Sequence, residues 1–182
     1  TYYQNGKLES SGNFKFGQLH GTINIFDEKE RLRSTGIYKD GKKNGEFKTY
    51  MENPWYVELT IASSTNYKED LKDGISKTYY QNGKLESSTN FRNGIIEKIR
   101  HTFYESGERK SSEYYEDGKK EGLTETFYEW AGNEFYKNGK LESTGIYKDG
   151  KKEGVHKTYH PNGKIKCREH YKNGQLNGLR ET

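Results

Sequence analysis

Aliphatic residues are scarce in this chain. Leu, Ile, Val and Phe make up 30 of 182 residues, and only two are valine. That level normally leaves a chain without enough apolar surface for a deep core. One cysteine, Cys167, excludes an intrachain disulfide. No apolar stretch approaches a membrane span and no signal peptide is visible. No run of five or six basic residues occurs, which excludes a nucleic-acid-binding tail and a polybasic membrane patch. Sustained helical periodicity is missing too.

Catalytic constellations are equally thin. The histidines are His20, His101, His156, His160 and His170. His156 and His160 are four residues apart, about 13 Å along a strand, too far to share a metal. His170 and Cys167 fall on opposite faces of their segment. Lys–Glu pairs recur in successive units as Lys7 with Glu9, Lys84 with Glu86 and Lys140 with Glu142. Residues two apart on a strand share a face, so these pairs read as charge ladders that confer solubility. An acid–base pair would be unique rather than copied. The expectation is a protein that is not an enzyme and takes no cofactor or metal.

What the chain does have is balance, tyrosine and repetition. Its 31 basic and 27 acidic residues leave a net charge of +4, and 16 tyrosines supply amphipathic bulk. A tyrosine can bury its ring and keep its hydroxyl wet, which suits a thin, elongated, ordered structure. An aromatic opens each of seven units, at Tyr2, Phe26, Trp55, Tyr79, Phe103, Phe135 and Tyr159. The spacing is 24 residues, with insertions of five (50–54) and eight (127–134) where it lengthens. Such a period signals one repeat domain over 1–182, in which each unit buries its face against its neighbours. Thr1 and Thr182 hold the same repeat position, so a longer array or a removed leader fits the pattern.

Glycine-bearing turn signals alternate through the units. Asn5-Gly6, Asp40-Gly41, Asn82-Gly83, Asn93-Gly94, Asp149-Gly150 and Asn162-Gly163 all favour the positive φ of two-residue hairpin turns. Between them residues alternate: Leu85, Ser87, Thr89 and Phe91 share one face, with Lys84, Glu86, Ser88 and Asn90 on the other. The predicted fold is all-β, a single-layer, twisted antiparallel β-meander or solenoid of seven β-hairpin repeats, about 14 strands. Small residues on the buried face (Gly12, Gly36, Thr65, Thr89, Gly145) make room for an aromatic from the adjacent strand. Glu113 and Glu169 break that rule, and their units are expected to be looser. A second glycine follows the first in Tyr-Lys-Asp-Gly-Lys-Lys-x-Gly, which reads as a somewhat longer loop before the next strand. Asp70 and Lys98 replace a glycine in units three and four.

The Tyr-x-x-Asn-Gly-Lys-Leu and Tyr-Lys-Asp-Gly-Lys-Lys-x-Gly segments, with Phe14-Lys-Phe-Gly17-Gln-Leu-His-Gly21, resemble MORN repeats. The resemblance is specifically to the bacterial MORN-repeat variant family, and it runs through all seven units. It implies a β-hairpin solenoid used for protein–protein contact. Some members look like antitoxin or immunity partners in toxin–antitoxin systems, and others accompany secreted or surface proteins. This chain departs from the eukaryotic pattern, which has more glycine and tryptophan on its first strand.

Candidate binding residues lie chiefly where the period fails. Trp55 and Tyr56 follow the first insertion, while Tyr128 and Trp130 lie inside the second. Insertions in a solenoid gather on its binding face, and tryptophan is enriched at interface hot spots. Both insertions are expected between hairpins, on one edge. Tyr80, Tyr104, Tyr128 and Tyr136 each follow an opening aromatic, so alternation is expected to turn them outward as stacking platforms for a glycan. The Lys-Asp-Gly-Lys-Lys loops are weighed as phosphate nests against ordinary hairpin turns. The leading expectation is a scaffold that binds another protein, with an antitoxin-like or surface-associated role. The alternative is a glycan- or cell-wall-binding module. Location reads equally as bacterial cytoplasm or as envelope, and open terminal strands predict end-to-end pairing of copies.

Overall fold

The computed structural model describes residues 1–53, 59–129 and 139–182, and every named element among them is a strand. The strands are β1 (Ser10–Lys15), β2 (Gln18–Phe26), β3 (Leu32–Lys39), β4 (Lys42–Lys43), β5 (Gly45–Glu52), β6 (Leu59–Lys68), β7 (Leu71–Tyr79) and β8 (Leu85–Arg92). They continue as β9 (Ile95–Phe103), β10 (Arg109–Glu116), β11 (Lys119–Phe127), β12 (Leu141–Lys148), β13 (Lys151–Tyr159), β14 (Ile165–Lys172) and β15 (Gln175–Leu176). Strands pair in chain order, antiparallel, and the short β4 pairs with β3. The meander expected from the repeat is therefore the fold. Two compact units divide it: Thr1–Leu85 with Phe91–Gly94, and Glu86–Asn90 with Ile95–Thr182.

Two kinds of turn alternate, and only one is the kind that Asn-Gly and Asp-Gly predict. Asp40-Gly41, Asn93-Gly94, Asp117-Gly118, Asp149-Gly150 and Asn173-Gly174 have positive φ at both residues and close two-residue hairpins. After the opening aromatic only the glycine is left-handed, as at Gly6, Gly83 and Gly163. There the glycine N–H bonds three residues back, Gly83 to the Tyr80 carbonyl at 2.9 Å, and the asparagine side chain accepts from the residue after the glycine. This is a type I turn closed by a glycine bulge. The supposed longer loop after Asp-Gly is also strand: β13 begins at Lys151, directly after Gly150. The second glycine sits within that strand at a bulge, with φ of +98° at Gly74 and +67° at Gly154. Lys98 takes this place in β9 with φ of 65°, a conformation costly for a side chain.

The Asp-Gly and Asn-Gly tight turns are completed by the repeat before them. The N–H of Gly41 bonds the Leu19 carbonyl, that of Gly94 the Lys72 carbonyl, and that of Gly150 the Lys120 carbonyl, at 2.7–2.9 Å. The N–H one residue earlier takes a carboxylate from the preceding repeat: Asp149 from Glu121 and Asn173 from Glu153, both 2.8 Å, and Asn93 from Asp73 at 3.2 Å. These turns hold no free nest of N–H groups for a phosphate. They behave as hairpin turns whose donors are already satisfied.

The inner face carries a spine of one residue per strand. In the first unit it reads Gly12, Ile23, Gly36, Phe47, Thr65, Ser76. In the second it reads Arg100, Glu113, Thr124, Gly145, His156, Glu169. Sizes complement across the hairpin. A Cβ on Gly36 would run into the Phe47 ring, and one on Gly145 into the His156 ring, which bears out the close-approach expectation at these glycines. Where Thr65 stands instead, its partner is Ser76, and their hydroxyls bond at 2.7 Å. Glu113 is not a loose spot: it accepts from the Tyr115 hydroxyl at 3.0 Å and pairs with Lys120. Glu169 accepts from Tyr171 at 2.9 Å and pairs with Arg180 at 3.2 Å.

Beside the spine, lysines of one repeat cover the aromatic of the next. Lys43 stands 5.0 Å from the Tyr67 ring, Lys72 4.9 Å from Phe91, Lys120 5.3 Å from Tyr147 and Lys152 4.5 Å from Tyr171. Threonine–serine pairs between neighbouring strands (Thr49 with Ser63, Thr102 with Ser111, Thr126 with Ser143) bond at 2.7 Å. Among the described residues only Tyr115 and Cys167 are buried hydrophobics, and none is wholly sealed from solvent. Cohesion comes from ladders and rings, with each pair worth about 1 kcal/mol, rather than from a deep core.

Register relocates two of the opening aromatics. Phe26 pairs with Leu32, Phe103 with Arg109 and Tyr159 with Ile165. The residues holding that place near the insertions are Tyr50, opposite Ile61, and Phe127, opposite Leu141. The 24-residue step therefore continues unbroken into Tyr50 and Phe127. The extra residues fall after them, inside the hairpin connection rather than between hairpins. Trp55 and Phe135, read earlier as unit starts, lie outside the described residues.

Candidate functional site

Three regions bear on binding: the stems of the two insertions, the tyrosines after the opening aromatics, and the outer face of the sheet. Of the sequence candidates, Trp55, Tyr56, Trp130 and Tyr136 lie outside the described residues. Their stems are described. At the first, Glu52 receives Arg31 at 2.6 Å and Arg33 at 3.0 Å from the preceding hairpin. Asp27 completes this cluster, bonding Arg31 and Arg33 at 2.8 and 2.9 Å. Burial works against its charge, but the N–H groups of Arg31 and Lys29 and the Arg31 guanidinium hold Asp27 well below the usual carboxylate range. On the far side the Asn53 amide donates to the Gln81 carbonyl at 3.1 Å. The first insertion is thus clamped to both neighbouring repeats. At the second, the Tyr128 N–H bonds the Lys140 carbonyl at 3.0 Å and Thr126 bonds Glu142 at 3.1 Å.

Tyr80, Tyr104 and Tyr128 do not stand outward. All three are half-buried. The Tyr104 hydroxyl donates to the Phe127 carbonyl at 2.8 Å, and that of Tyr128 to the Tyr159 carbonyl at 2.6 Å. Tyr3 does the same to Phe26 at 2.7 Å. The physical reason is that strand alternation stops one residue earlier. Tyr80 and Tyr104 already begin the turn, their N–H groups bonded to the Lys84 and Glu108 carbonyls. Each ring is then free to lean on the next repeat, and burial raises the Tyr104 pKa.

The outer face was not read from the sequence as a site. In the second unit Ile99 pairs with Tyr114 and Leu123 with Ile146. Val155 follows on β13, one residue from the inward His156. Ile99, Tyr114, Leu123 and Ile146 are 40–52% exposed. With Val155 they form one apolar stripe across five adjacent strands. The equivalent positions of the first unit are Thr22, Ile37, Glu46, Asn66 and Ile75. There Glu46 binds Ser64 at 2.6 Å and Lys48 at 2.9 Å, and the Asn66 amide donates to the Ile75 carbonyl at 3.0 Å. A polar network interrupts the stripe. The available signal was the residue after each bulge position (Ile75, Ile99, Leu123, Val155). It is legible only once the bulge is known to reset the alternation.

On the inner face, two clefts occupy the same place in the repeat. One, about 190 Å³, is lined by Gly36, Tyr38, Lys43, Phe47, Thr65 and Tyr67. The other, about 130 Å³, is lined by Gly145, Tyr147, Lys152, His156, Cys167 and Glu169. Phe47 lies edge-on between Tyr38 and Tyr67 at 5.4 and 5.2 Å, and His156 between Tyr147 and Tyr171 at 5.4 and 5.1 Å. His156 Nε2 lies 2.8 Å from the Ile146 carbonyl. Burial pushes its pKa down, opposed by that carbonyl bond and assisted by Lys152. His101 is likewise lowered, by burial and then by Arg109.

No curated protein matches the chain. Residues 1–16, 72–93, 133–149 and 152–173 match the model of the MORN repeat variant family. All four segments end on the first residue of a tight turn, at Phe16, Asn93, Asp149 and Asn173. In 72–93 and 152–173 the matched unit is a strand, the type I turn with its bulge, and the strand that follows. In that unit this chain is similar to the MORN repeat variant family, and the match supports reading its sheet as a MORN repeat scaffold.

Proposed function

We propose that this chain is a non-enzymatic repeat scaffold that binds protein. The observation that carries the reading is the stripe of Ile99, Tyr114, Leu123, Ile146 and Val155 on the outer face of the second unit. Repeated groups elsewhere are used internally, in turn closure, hydroxyl pairs and lysine–ring stacks. Ile99, Tyr114, Leu123 and Ile146 each keep about half of their surface exposed, and contiguous apolar surface rimmed by charge marks an interaction site. The five- and eight-residue insertions (50–54 and 127–134), whose flanking stems are clamped, add Trp55, Tyr56, Trp130 and Tyr136 as further contacts. An antitoxin-like, immunity-like or surface-associated role is the form of this function that the family resemblance favours. Glycan binding is the weaker reading, because the hydroxyls of Tyr104 and Tyr128 already bond carbonyls.

Chemical cross-linking and pull-down with the tagged chain, comparing wild type, Leu123→Lys and the Trp55→Ala/Trp130→Ala pair, tests the reading. At least one substitution is expected to weaken protein capture about tenfold, the scale of a hot-spot residue, with β circular dichroism intact. Capture unchanged by both, or capture of polysaccharide in place of protein, refutes it.

A further inference from the structure

We propose that the outer face of the second unit seats a second copy of this chain, face to face, about a two-fold axis running along β12. The inference rests on reading the stripe as a protein-binding surface and names its occupant.

A row of polar and charged residues runs beside the stripe. On the same face, through direct register, stand His101, Ser112, Glu125, Thr144, Lys157 and Arg168, one on each strand from β9 to β14. Glu125 on β11 and Lys157 on β13 flank Thr144 on β12 symmetrically. A two-fold axis parallel to β12 swaps β11 and β13 between copies. Glu125 then faces Lys157 of the second copy, and Lys157 faces Glu125. In the stripe, Leu123 meets Val155, Ile146 meets itself, and Tyr114 meets His170. An axis on β11 would set Glu125 against its own copy, and one on β13 would set lysine against lysine. Like charges facing each other are destabilising, so charge selects one axis among the central strands. Isologous contacts of this kind close on themselves, and sheets packed face to face at about 10 Å are an ordinary arrangement.

The size of the patch sets its strength. Five strands span about 19 Å across, and the two rows lie only about 7 Å apart along them. That is less than the roughly 800 Å² per partner of a standard interface. The dimer is therefore concentration-dependent, with dissociation in or above the micromolar range.

Sedimentation equilibrium of the full chain between about 10 µM and about 500 µM tests this, with circular dichroism as the folding control. Wild type is expected to pass from monomer to dimer. Glu125→Lys and Lys157→Glu each place like charges across the axis, so each alone stays monomeric over this range. Mixed in equal amounts the two single variants pair with each other, because the two lysines of one then face the two glutamates of the other. One chain carrying both substitutions also recovers the dimer. A wild type that remains monomeric overturns the proposal, while leaving a different protein partner for the stripe intact. Single variants that dimerise like wild type overturn it too, as does a mixture that fails to associate or an open-ended series of oligomers.

Discussion

Phe47 and His156 fill one and the same slot of the repeat, and they differ by a titratable nitrogen. Each lies over a glycine, edge-on between two tyrosines, beside a lysine that covers the second ring. The first unit fills the slot with a ring that pH cannot touch. The second fills it with one whose neutral form is favoured by burial. The outer faces diverge as well, with Glu46 and Asn66 standing where the second unit has aliphatic residues. Geometry belongs to the repeat, and each copy is free to choose the chemistry it places there.

The sharpest way to break this equivalence is to fill the space under the ring. Gly36→Ala is expected to cost about 2–3 kcal/mol, because the neighbouring ring and backbone must shift to admit the methyl. Adding Phe47→Ser mimics the Thr65–Ser76 pairing. The double variant should therefore lose at least about 1 kcal/mol less than the sum of the singles, as read from urea unfolding. Simple additivity would mean that the slot is not shared in the way described.

A smaller effect separates the two slots by pH. The folded pKa of His156 lies below its ordinary value of about 6.5, so the unfolded chain takes up the proton first. The stabilising contribution of the neutral ring is complete above about pH 6.5 and falls away as pH drops toward the folded value. His101 adds a shift of the same sign. His156→Phe should flatten the loss of stability between about pH 7.5 and about pH 5, leaving the share due to His101. Phe47→His should introduce a dependence of the same sign in the first unit. Thermal unfolding across that range measures both, and an unchanged slope in His156→Phe contradicts the assignment.

The smallest effect concerns the bulge. Lys98 holds a left-handed conformation that Gly74 and Gly122 hold at equivalent places. Lys98→Gly should therefore raise stability by about 1 kcal/mol, visible as a higher urea midpoint. A loss would show that the lysine side chain contributes more than its backbone costs.

Much of the scaffold was readable because it is local. The period, the alternation over Leu85–Phe91, and the small residues at Gly36 and Gly145 follow from spacing and size. Turn type was not readable. Asn82-Gly83 and Asn93-Gly94 look alike, yet one is closed by the Tyr80 carbonyl three residues back and the other by Lys72 in the preceding repeat. In register the place that Phe26 holds is held by Tyr50 and Phe127. The Thr-aromatic step Thr49-Tyr50 and Thr126-Phe127, shared with Thr78-Tyr79, is the local signal for that register. The outer stripe stayed hidden because a bulge with φ of +69° at Gly122 shifts which residues face outward, and strict alternation misassigns them.

The dependence of each tight turn on its predecessor has an evolutionary corollary. Gly94 and Gly150 find their acceptor carbonyls, and Asn93 and Asp149 their carboxylates, in the segment translated just before them. A duplicated unit thus carries both the socket for its successor and the plug for its predecessor. Copy number can change by whole modules without a compensating substitution, and during synthesis every emerging hairpin meets a finished template.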